Sequence, residues 1–464
     1  MRLTVRDLER IPHREFVRRE IFARRAATGV STDSRTTRSG DLFVALRGST
    51  YDGHRFAGQA FAAGAVAAVV DEKFDVSQVP GKPLLRVTDT TLALGALARG
   101  YRDRFSIPFL AVGGSNGKTT TKEMITRVLR EKYSVLSTEG NLNNQIGVPM
   151  TLFRLSRKHE IAVIEIGTNH SGEIALLCGI LGPTHGMITN IGREHLEFFG
   201  SVEGVAEEES ALFNALSIGA GGTALIAADD PRVRAAARIV KRKVTYGFRA
   251  IGASVRGRGV TLDGEGRASF EFRSSTMKRW HRVRLAIPGK HNAMNALSAA
   301  AAGVVFHVPP FRIGRALESC RSVSRRMEIV SVGGVTVLND TYNANPDSAI
   351  AALETLASLR GKGKRIAVLA DMKELGPGGA EAHAAVGREA SALGISHLLT
   401  LGDLAGYIHA ASGISGARHF TEKEKLAEYL AVLLTPGDAV LVKGSRGMHM
   451  EEVITFLEER MQVA

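Results

Sequence analysis

The sequence predicts a three-domain α/β protein whose central domain carries a phosphate-binding loop on a parallel sheet. Three observations lead there. The 464 residues fit about three domains on the usual length prior. Three successive segments each alternate short apolar runs with helical patterns, the signature of α/β folds. Between Phe109 and Met124 the chain reads FLAVGGSNGKTTTKEM, in which an apolar strand, a glycine-rich turn and a helix start follow in the order a phosphate cradle requires. An apolar content of 44% without low-complexity runs supplies enough core for such domains.

The first segment, residues 1–105, contains the loop STDSRTTRSGDLFVALRG, a helical stretch His54 to Ala63 and an apolar strand Val66 to Val70. The second, 106–312, opens with the phosphate loop and adds the runs IAVIEIG, HGMITNIG and TALIAA. These runs end at Glu165, at Asn190 with His195, and at Asp229. Ligands bind beyond the carboxyl ends of strands in open parallel sheets, so these groups are expected to converge near Lys118. After Pro309 and Pro310 the third segment, 313–464, has strands near TVLND, RIAVLAD, HLLTLGD and AVLVKGS. Asp340, Asp371, Asp403 and Lys443 end them, which suggests a second ligand-facing crevice, although a strand-ending aspartate is also a common helix cap.

In the loop itself, backbone N–H groups of Gly114, Ser115, Asn116 and Gly117 can approach phosphate oxygens, and the following helix adds its positive dipole end. Lys118 is placed to meet the β- and γ-phosphates, Thr119 to offer a hydroxyl to Mg²⁺, and Thr120 is a second hydroxyl in reach. Only three residues separate Gly113 from Gly117, one fewer than the usual G-x-x-x-x-G-K-[ST] spacing, and no base-specificity motif accompanies the loop, which argues against a P-loop motor or GTPase.

Sixty basic against 47 acidic residues give a formal charge of +13, which favours an anionic ligand. The arginines are spread along the chain rather than packed into an arm, so nucleic acid is not expected. Cys178 and Cys320 lie far apart without metal-ligand spacing, which suits a reducing cytosol. The N-terminus is charged throughout, and the longest apolar stretch, Ala60 to Val70, is too short for a bilayer. A cytoplasmic protein without integral membrane association is expected.

Taken in order, GGSNGKTTT, TEGNLNNQIGVP, EIGTNHSGEI, NIGREHLEFFGS, GKHNAMNALSAA, SRRMEIV, NDTYNANPDS, LADMKELG and VKGSRG resemble the Mur ligases along about the whole chain. Within that family STDSR, GDLFVAL, GNLNNQIGVP, EIGTNHSGEI and YNANPDS look like the branch that joins D-alanyl-D-alanine to UDP-N-acetylmuramoyl-tripeptide. The resemblance implies an N-terminal UDP-binding domain, a central ATPase domain and a C-terminal Rossmann-like domain, working as a monomer with ATP and Mg²⁺. By the same resemblance Glu165 and His195 are Mg²⁺ ligands. Asn292 and Asn295, three residues apart on one helical face, lie against the nucleoside, and Arg326 and Asp340 are contributed to the nucleotide, with Arg325 a neighbouring competitor. Ser34, Arg35, Asn141, Asn143 and Asn144 match contacts to the UDP-muramoyl substrate. Asn169, His170, Tyr342, Asn343 and Asn345 match a dipeptide site, where amide side chains can both donate and accept.

One position departs from the family pattern. Most Mur ligases carry a carbamylated lysine on the helix after the metal-binding histidine, and here that register holds Glu209, within VAEEESALF. An encoded carboxylate keeps the charge and hard oxygens a magnesium site needs. Its side chain is about 3 to 4 Å shorter, so three readings stand: Glu209 acts through water, Glu208 or Glu207 substitutes, or the run is a solvated helix face. Other amide ligases of the superfamily, adding the third stem-peptide residue or acting on folylpolyglutamate or cyanophycin, are disfavoured by YNANP and NHSGEI. A non-catalytic nucleotide-binding homologue is disfavoured by Lys118, Glu165 and His195.

Overall fold

The computed structural model describes residues 1–48, 50–218 and 221–461. Sheets of five, nine and six strands bear out the three-domain α/β reading. By compactness the chain divides into two units, one of Met1–Ala111, Tyr133–Thr168 and Gly172–His185, the other of Val112–Lys132, Asn169–Ser171 and Gly186–Ala464.

In the first unit a five-stranded sheet runs in the spatial order Arg14–Val17, Leu84–Val87, Ala67–Asp71, Asp41–Val44, Gly29–Ser31. Only Arg14–Val17 is antiparallel to its neighbour. Phe43, Ala60, Phe61, Val70, Phe74 and Leu84 form its core. The helix expected over His54 to Ala63 splits into a 3₁₀ turn Gly53–Phe56 and the α-helix Ala57–Ala62. Asp52 causes the tight start: its Oδ1 accepts from the His54 backbone N–H at 3.0 Å and contacts the ring Nδ1 at 2.6 Å.

Helix Thr90–Arg102 is capped by Asp89, whose Oδ1 accepts from Thr91 N at 2.7 Å and Leu92 N at 2.9 Å. At its far end Arg102 donates to the carbonyls of Leu181 and Gly182 at 2.6 and 2.7 Å, where helix Glu173–Leu181 ends and a cation complements the dipole. The same unit holds the start of strand Phe109–Gly113, then Ile161–Glu165 and Val135–Ser137 in that lateral order.

In the second unit the sheet reads His281–Pro288, Arg267–Ser274, Val255–Leu262, Arg242–Gly247, Thr223–Ala227, His185–Ile188 and the end of Phe109–Gly113. The segment from 255 to 288 is an antiparallel meander. In Arg267–Ser274 buried Ala268, Phe270 and Phe272 alternate with outward-facing residues, the period of a one-faced sheet. Helix His291–Val305 packs on the loop helix Lys118–Leu129, and Gly303 permits the approach: a Cβ there would lie 2.7 Å from Val128 Cγ1. Helix Pro310–Glu318, which spans the expected boundary at 312, is tied to the end of the loop helix by Arg312 Nη1 to Glu131 O at 2.9 Å and by Arg127 Nε to Ser319 Oγ at 3.0 Å.

The C-terminal sheet has the order Glu328–Val332, Val335–Asp340, Ala439–Lys443, Arg365–Ala370, His397–Leu401, Gly416–Phe420, parallel apart from its first strand. Along Ala439–Lys443, Leu441 enters one core and Val440 and Val442 the other, so both faces are covered by helices. Cys178 and Cys320 are buried, and burial pushes the Cys320 thiol up to about 11.

Candidate functional site

Strand Phe109–Gly113 is buried at every position and delivers the loop Gly114–Gly117 to the start of helix Lys118–Leu129. Gly114 (φ 110°) and Gly117 (φ 78°) adopt left-handed backbone. A Cβ at Gly114 would lie 2.4 Å from Thr189 Oγ1, and one at Gly117 2.8 Å from Asn295 Oδ1, so both positions exclude side chains. The segment after strand His185–Ile188 moulds the loop. Ser115 N donates to Asn190 O at 2.9 Å, Asn116 N to Asn190 Oδ1 at 3.1 Å, and Asn190 Nδ2 returns a bond to Asn116 O at 2.9 Å. Lys118 Nζ folds over the loop to Gly114 O at 2.5 Å and reaches Glu194 Oε2 at 3.3 Å.

Glu209 lies on helix Val202–Ser217, capped by Ser201, and is fully buried. Its Oε2 accepts from Gly114 N at 2.8 Å. Glu209 Oε1 and Glu194 Oε1 are buried and have no hydrogen-bond partner among the described residues. Burial pushes the Glu209 carboxyl up to about 8, with the Lys118 charge opposing and the Glu194 charge adding to the rise. The solvated-face reading therefore fails for Glu209. Glu208 is also buried, and Glu207 alone of the three is exposed.

Two orphaned carboxylate oxygens beside a phosphate loop suit a hard divalent cation such as Mg²⁺. Among the described residues no group of three His, Cys, Asp or Glu side chains forms a preformed cage.

The raised value has a consequence for stability. The folded carboxyl binds its proton more tightly than an unfolded carboxyl near 4.5. The stabilisation is fully present below that pH and lost as pH rises through 8. Melting of the nucleotide-free protein, followed by circular dichroism from pH 5 to 8.5, is expected to fall more steeply in the wild type than in Glu209→Gln; parallel slopes would contradict it.

In the first unit Glu165 ends its strand 1% exposed, and Asn143 Nδ2 donates to its Oε1 at 2.9 Å. Asn144 Oδ1 accepts from Ile146 N and Gly147 N at 3.2 and 2.9 Å, closing the turn into helix Gly147–Leu152. Asn141 is exposed. Ser34 Oγ bonds Gln59 Oε1 at 3.2 Å, and Arg35 forks onto Asp33, with Nη2 at 2.6 Å from Oδ2.

Within the second unit the C-terminal domain meets the phosphate loop. Asn345 Nδ2 donates to Asn116 Oδ1 at 2.9 Å, while its Oδ1 caps helix Pro346–Ser358 by accepting from Ser348 N at 2.8 Å. Its amide thus joins the loop to the cap of that helix. Asp347 takes Arg193 Nη2 at 2.6 Å and Arg193 N at 2.8 Å. Asp340 Oδ2 pairs with buried Lys443 at 2.6 Å and its Oδ1 accepts from Met327 N at 3.0 Å. The Arg326 guanidinium lies 3.8 Å over the Tyr342 ring, and Arg446 Nη1 reaches the Tyr342 hydroxyl at 3.2 Å. The Asn343 carbonyl accepts from Lys443 at 2.8 Å. Arg325 pairs with Glu451 at 2.7 Å.

Asn292 and Asn295 are joined, Asn295 Nδ2 to Asn292 Oδ1 at 2.9 Å, against Gly117. The His170 ring lies tilted against Phe198, with centroids 4.3 Å apart. Two strand-end aspartates do not join the loop. Asp229 binds the backbone N–H groups of Phe248 and Ala250 at 2.7 and 2.9 Å, and Asp371 binds that of Ala405 at 2.7 Å. Asp403 is not a cap either, because Leu404 occupies the N-cap position of helix Ala405–Ser412. Sequence reasoning missed Arg193, Glu194, Asp347 and Glu374, although each lies inside a run that carries the resemblance.

Comparison with known proteins matches the Mur ligase family catalytic domain over residues 26–102, the Mur ligase middle domain over 112–303 and the Mur ligase glutamate ligase domain over 325–446. The chain is 36% identical over 450 residues to UDP-N-acetylmuramoyl-tripeptide–D-alanyl-D-alanine ligase of Bacillus subtilis (strain 168), covering 93% of each. It is 37% identical over 435 residues to the enzyme of that name from Escherichia coli (strain K12), again covering 93% of each. Among solved structures, MurF from Acinetobacter baumannii superposes with a TM-score of 0.90 at 31% identity over 99% of both chains. MurF ligase from Thermotoga maritima in complex with ADP superposes with a TM-score of 0.83 at 28% identity, covering 94% of this chain and 98% of that one.

Proposed function

Because the chain belongs to the Mur ligase family, we infer that it joins D-alanyl-D-alanine to UDP-N-acetylmuramoyl-tripeptide, consuming ATP and releasing ADP and phosphate. The carrying observation is end-to-end identity to ligases of that name, 36% and 37% over 93% of each chain. The phosphate loop and its buried carboxylates agree with it.

A carboxylate resists attack by an amine, because its carbonyl carbon is electron-rich and oxide is a poor leaving group. A terminal carboxylate oxygen of the tripeptide attacks the γ-phosphorus of ATP and ADP leaves. The dipeptide amine then adds to the acyl carbon, and the tetrahedral adduct expels phosphate as the amide forms and the amine proton is lost. The protein's contribution is positioning and charge neutralisation.

We assign the loop N–H groups and Lys118 to the β- and γ-phosphates, with Lys118 leaving its own loop carbonyls to do so. Thr119, Glu165, His195 and Glu209 would hold Mg²⁺, Glu209 directly or through water. When bound, the ion neutralises charge on the transferring phosphoryl group. Asn292 and Asn295 brace Gly117 on the nucleoside side. Arg326, fixed over Tyr342, and Asp340, paired with Lys443, serve the nucleotide from the C-terminal domain. Ser34, Arg35, Asn141 and Asn143 are assigned to the UDP-muramoyl substrate, and Asn169, His170, Tyr342 and Asn343 to the dipeptide. The C-terminal contacts to the loop come from the same chain, which suits a monomer. No described helix is long and apolar enough to cross a membrane, and nucleotide substrates favour a cytoplasmic reading.

The test is phosphate release from ATP and Mg²⁺ with UDP-N-acetylmuramoyl-tripeptide carrying diaminopimelate or lysine, with and without D-alanyl-D-alanine. Dipeptide-dependent phosphate with a pentapeptide mass is expected. ATP binding without turnover on either tripeptide would overturn the assignment.

A further inference from the structure

His195 and Glu374 meet from two domains of the second unit. The His195 Nδ1 lies 2.5 Å from Glu374 Oε2, and the His195 side chain is 15% exposed. No other hydrogen bond engages that ring among the described residues; its further neighbour is Phe199, edge-on with centroids 6.5 Å apart. The backbone is built for this encounter. His195 (φ 48°) and Glu374 (φ 64°) are both left-handed non-glycine residues, a conformation that persists only when surrounding structure imposes it. Glu374 O accepts from Glu197 N at 3.0 Å. Two residues on, Gly376 comes so close that a Cβ would lie 3.2 Å from Glu197 Cα.

The segment presenting Glu374 is fixed from behind. Asp371 O accepts from Ser445 N at 3.1 Å, Met372 N donates to buried His383 Nε2 at 2.9 Å, and Lys373 N donates to Ser445 Oγ at 2.8 Å. His383 Nδ1 is in turn held by Gly379 O at 2.7 Å. Glu374 therefore reaches His195 from a braced loop.

We propose that Glu374 is a positioning residue for His195: its carboxylate keeps the proton on Nδ1 and orients the ring, so that Nε2 is left as the ligating nitrogen for the nucleotide's Mg²⁺. This rests on the reading of His195 as a metal ligand. A carboxylate on the far nitrogen fixes tautomer and orientation in metal-binding histidines, and its loss costs about 10- to 100-fold in metal affinity. Here the carboxylate comes from the C-terminal domain, so the central domain acquires a correctly oriented histidine only when that domain is docked.

The experiment measures Mn²⁺ binding to the full-length enzyme in the presence of ADP by electron paramagnetic resonance, for wild type, Glu374→Ala and His195→Ala, with ADP binding in EDTA as control. Glu374→Ala is expected to weaken Mn²⁺ about 10- to 100-fold and leave metal-free ADP binding unchanged. If His195→Ala loses Mn²⁺ while Glu374→Ala binds it like wild type, the positioning role is overturned and the ligand reading stands. If His195→Ala also binds Mn²⁺ like wild type, the ligand reading falls and the proposal with it. Should Glu374→Ala not fold, ¹⁵N-histidine NMR of wild type and Glu374→Gln decides: a single Nδ1–H tautomer at His195 in wild type, relaxed to a mixture in the variant, is expected, and an unchanged tautomer overturns the proposal.

Discussion

Replacing Lys118 by alanine is expected to cut dipeptide-dependent phosphate release by about 10³-fold or more, because charge on a transferring phosphoryl group loses its main protein cation. The Nζ lies 2.5 Å from Gly114 O and 3.3 Å from Glu194 Oε2, so the charge already stands at the loop. Lys118→Arg is not expected to rescue, since a planar fork cannot occupy a position shaped for a point charge. The loss should fall mainly on kcat, with the fold intact by circular dichroism, because Thr189 and Asn190 also hold the phosphate-loop backbone, both donating to Asn116 O. A variant with full kcat would remove Lys118 from the chemistry.

The second large effect concerns Glu209. Since its carboxylate is encoded, turnover is expected to be indifferent to stripping CO₂ and bicarbonate from the buffer, and strong bicarbonate dependence would sink that idea. Glu209→Gln preserves the shape and retains an oxygen that can accept from Gly114 N–H, but removes the charge. It is expected to lower activity about 10- to 100-fold at limiting Mg²⁺ and to recover in part at high Mg²⁺. An unchanged Mg²⁺ requirement would assign Glu209 to loop architecture alone.

Much of this was legible in the chain because short-range rules wrote it. The strands of the C-terminal sheet were found because Leu338, Leu369, Leu398 and Leu441 sit in runs whose two faces are both buried, which read as continuous apolar segments. The phosphate loop was legible because Gly114 and Gly117 are backbone requirements of the turn itself. The meander from 255 to 288 went unread although Arg267–Ser274 alternates with period two, since Arg267, Glu271 and Arg273 mask a thin apolar face.

Strand-end logic over-assigned Asp229, whose carboxylate satisfies the loop N–H groups of Phe248 and Ala250, and Asp371, whose carboxylate accepts from Ala405 at the start of a helix. Nothing local distinguishes such an aspartate from a ligand. Asn144 and Asn345 illustrate another limit: asparagine closes turns and caps helices as readily as it binds peptides, and only the tertiary position of Asn116 reveals that the amide of Asn345 reaches the loop. Arg193–Asp347 and His195–Glu374 are separated by 154 and 179 residues, so their partnership is a property of domain docking and leaves no trace in local spacing.

The most direct measurement follows oxygen. With ¹⁸O in the tripeptide carboxylate that becomes the new amide, turnover with ATP, Mg²⁺ and D-alanyl-D-alanine is expected to place one ¹⁸O in each phosphate released, because the oxygen that attacks the γ-phosphorus leaves with it. Unlabelled phosphate accompanying pentapeptide formation would contradict acyl phosphate formation, and with it the phosphoryl-transfer role of the loop, Lys118 and the carboxylates around it.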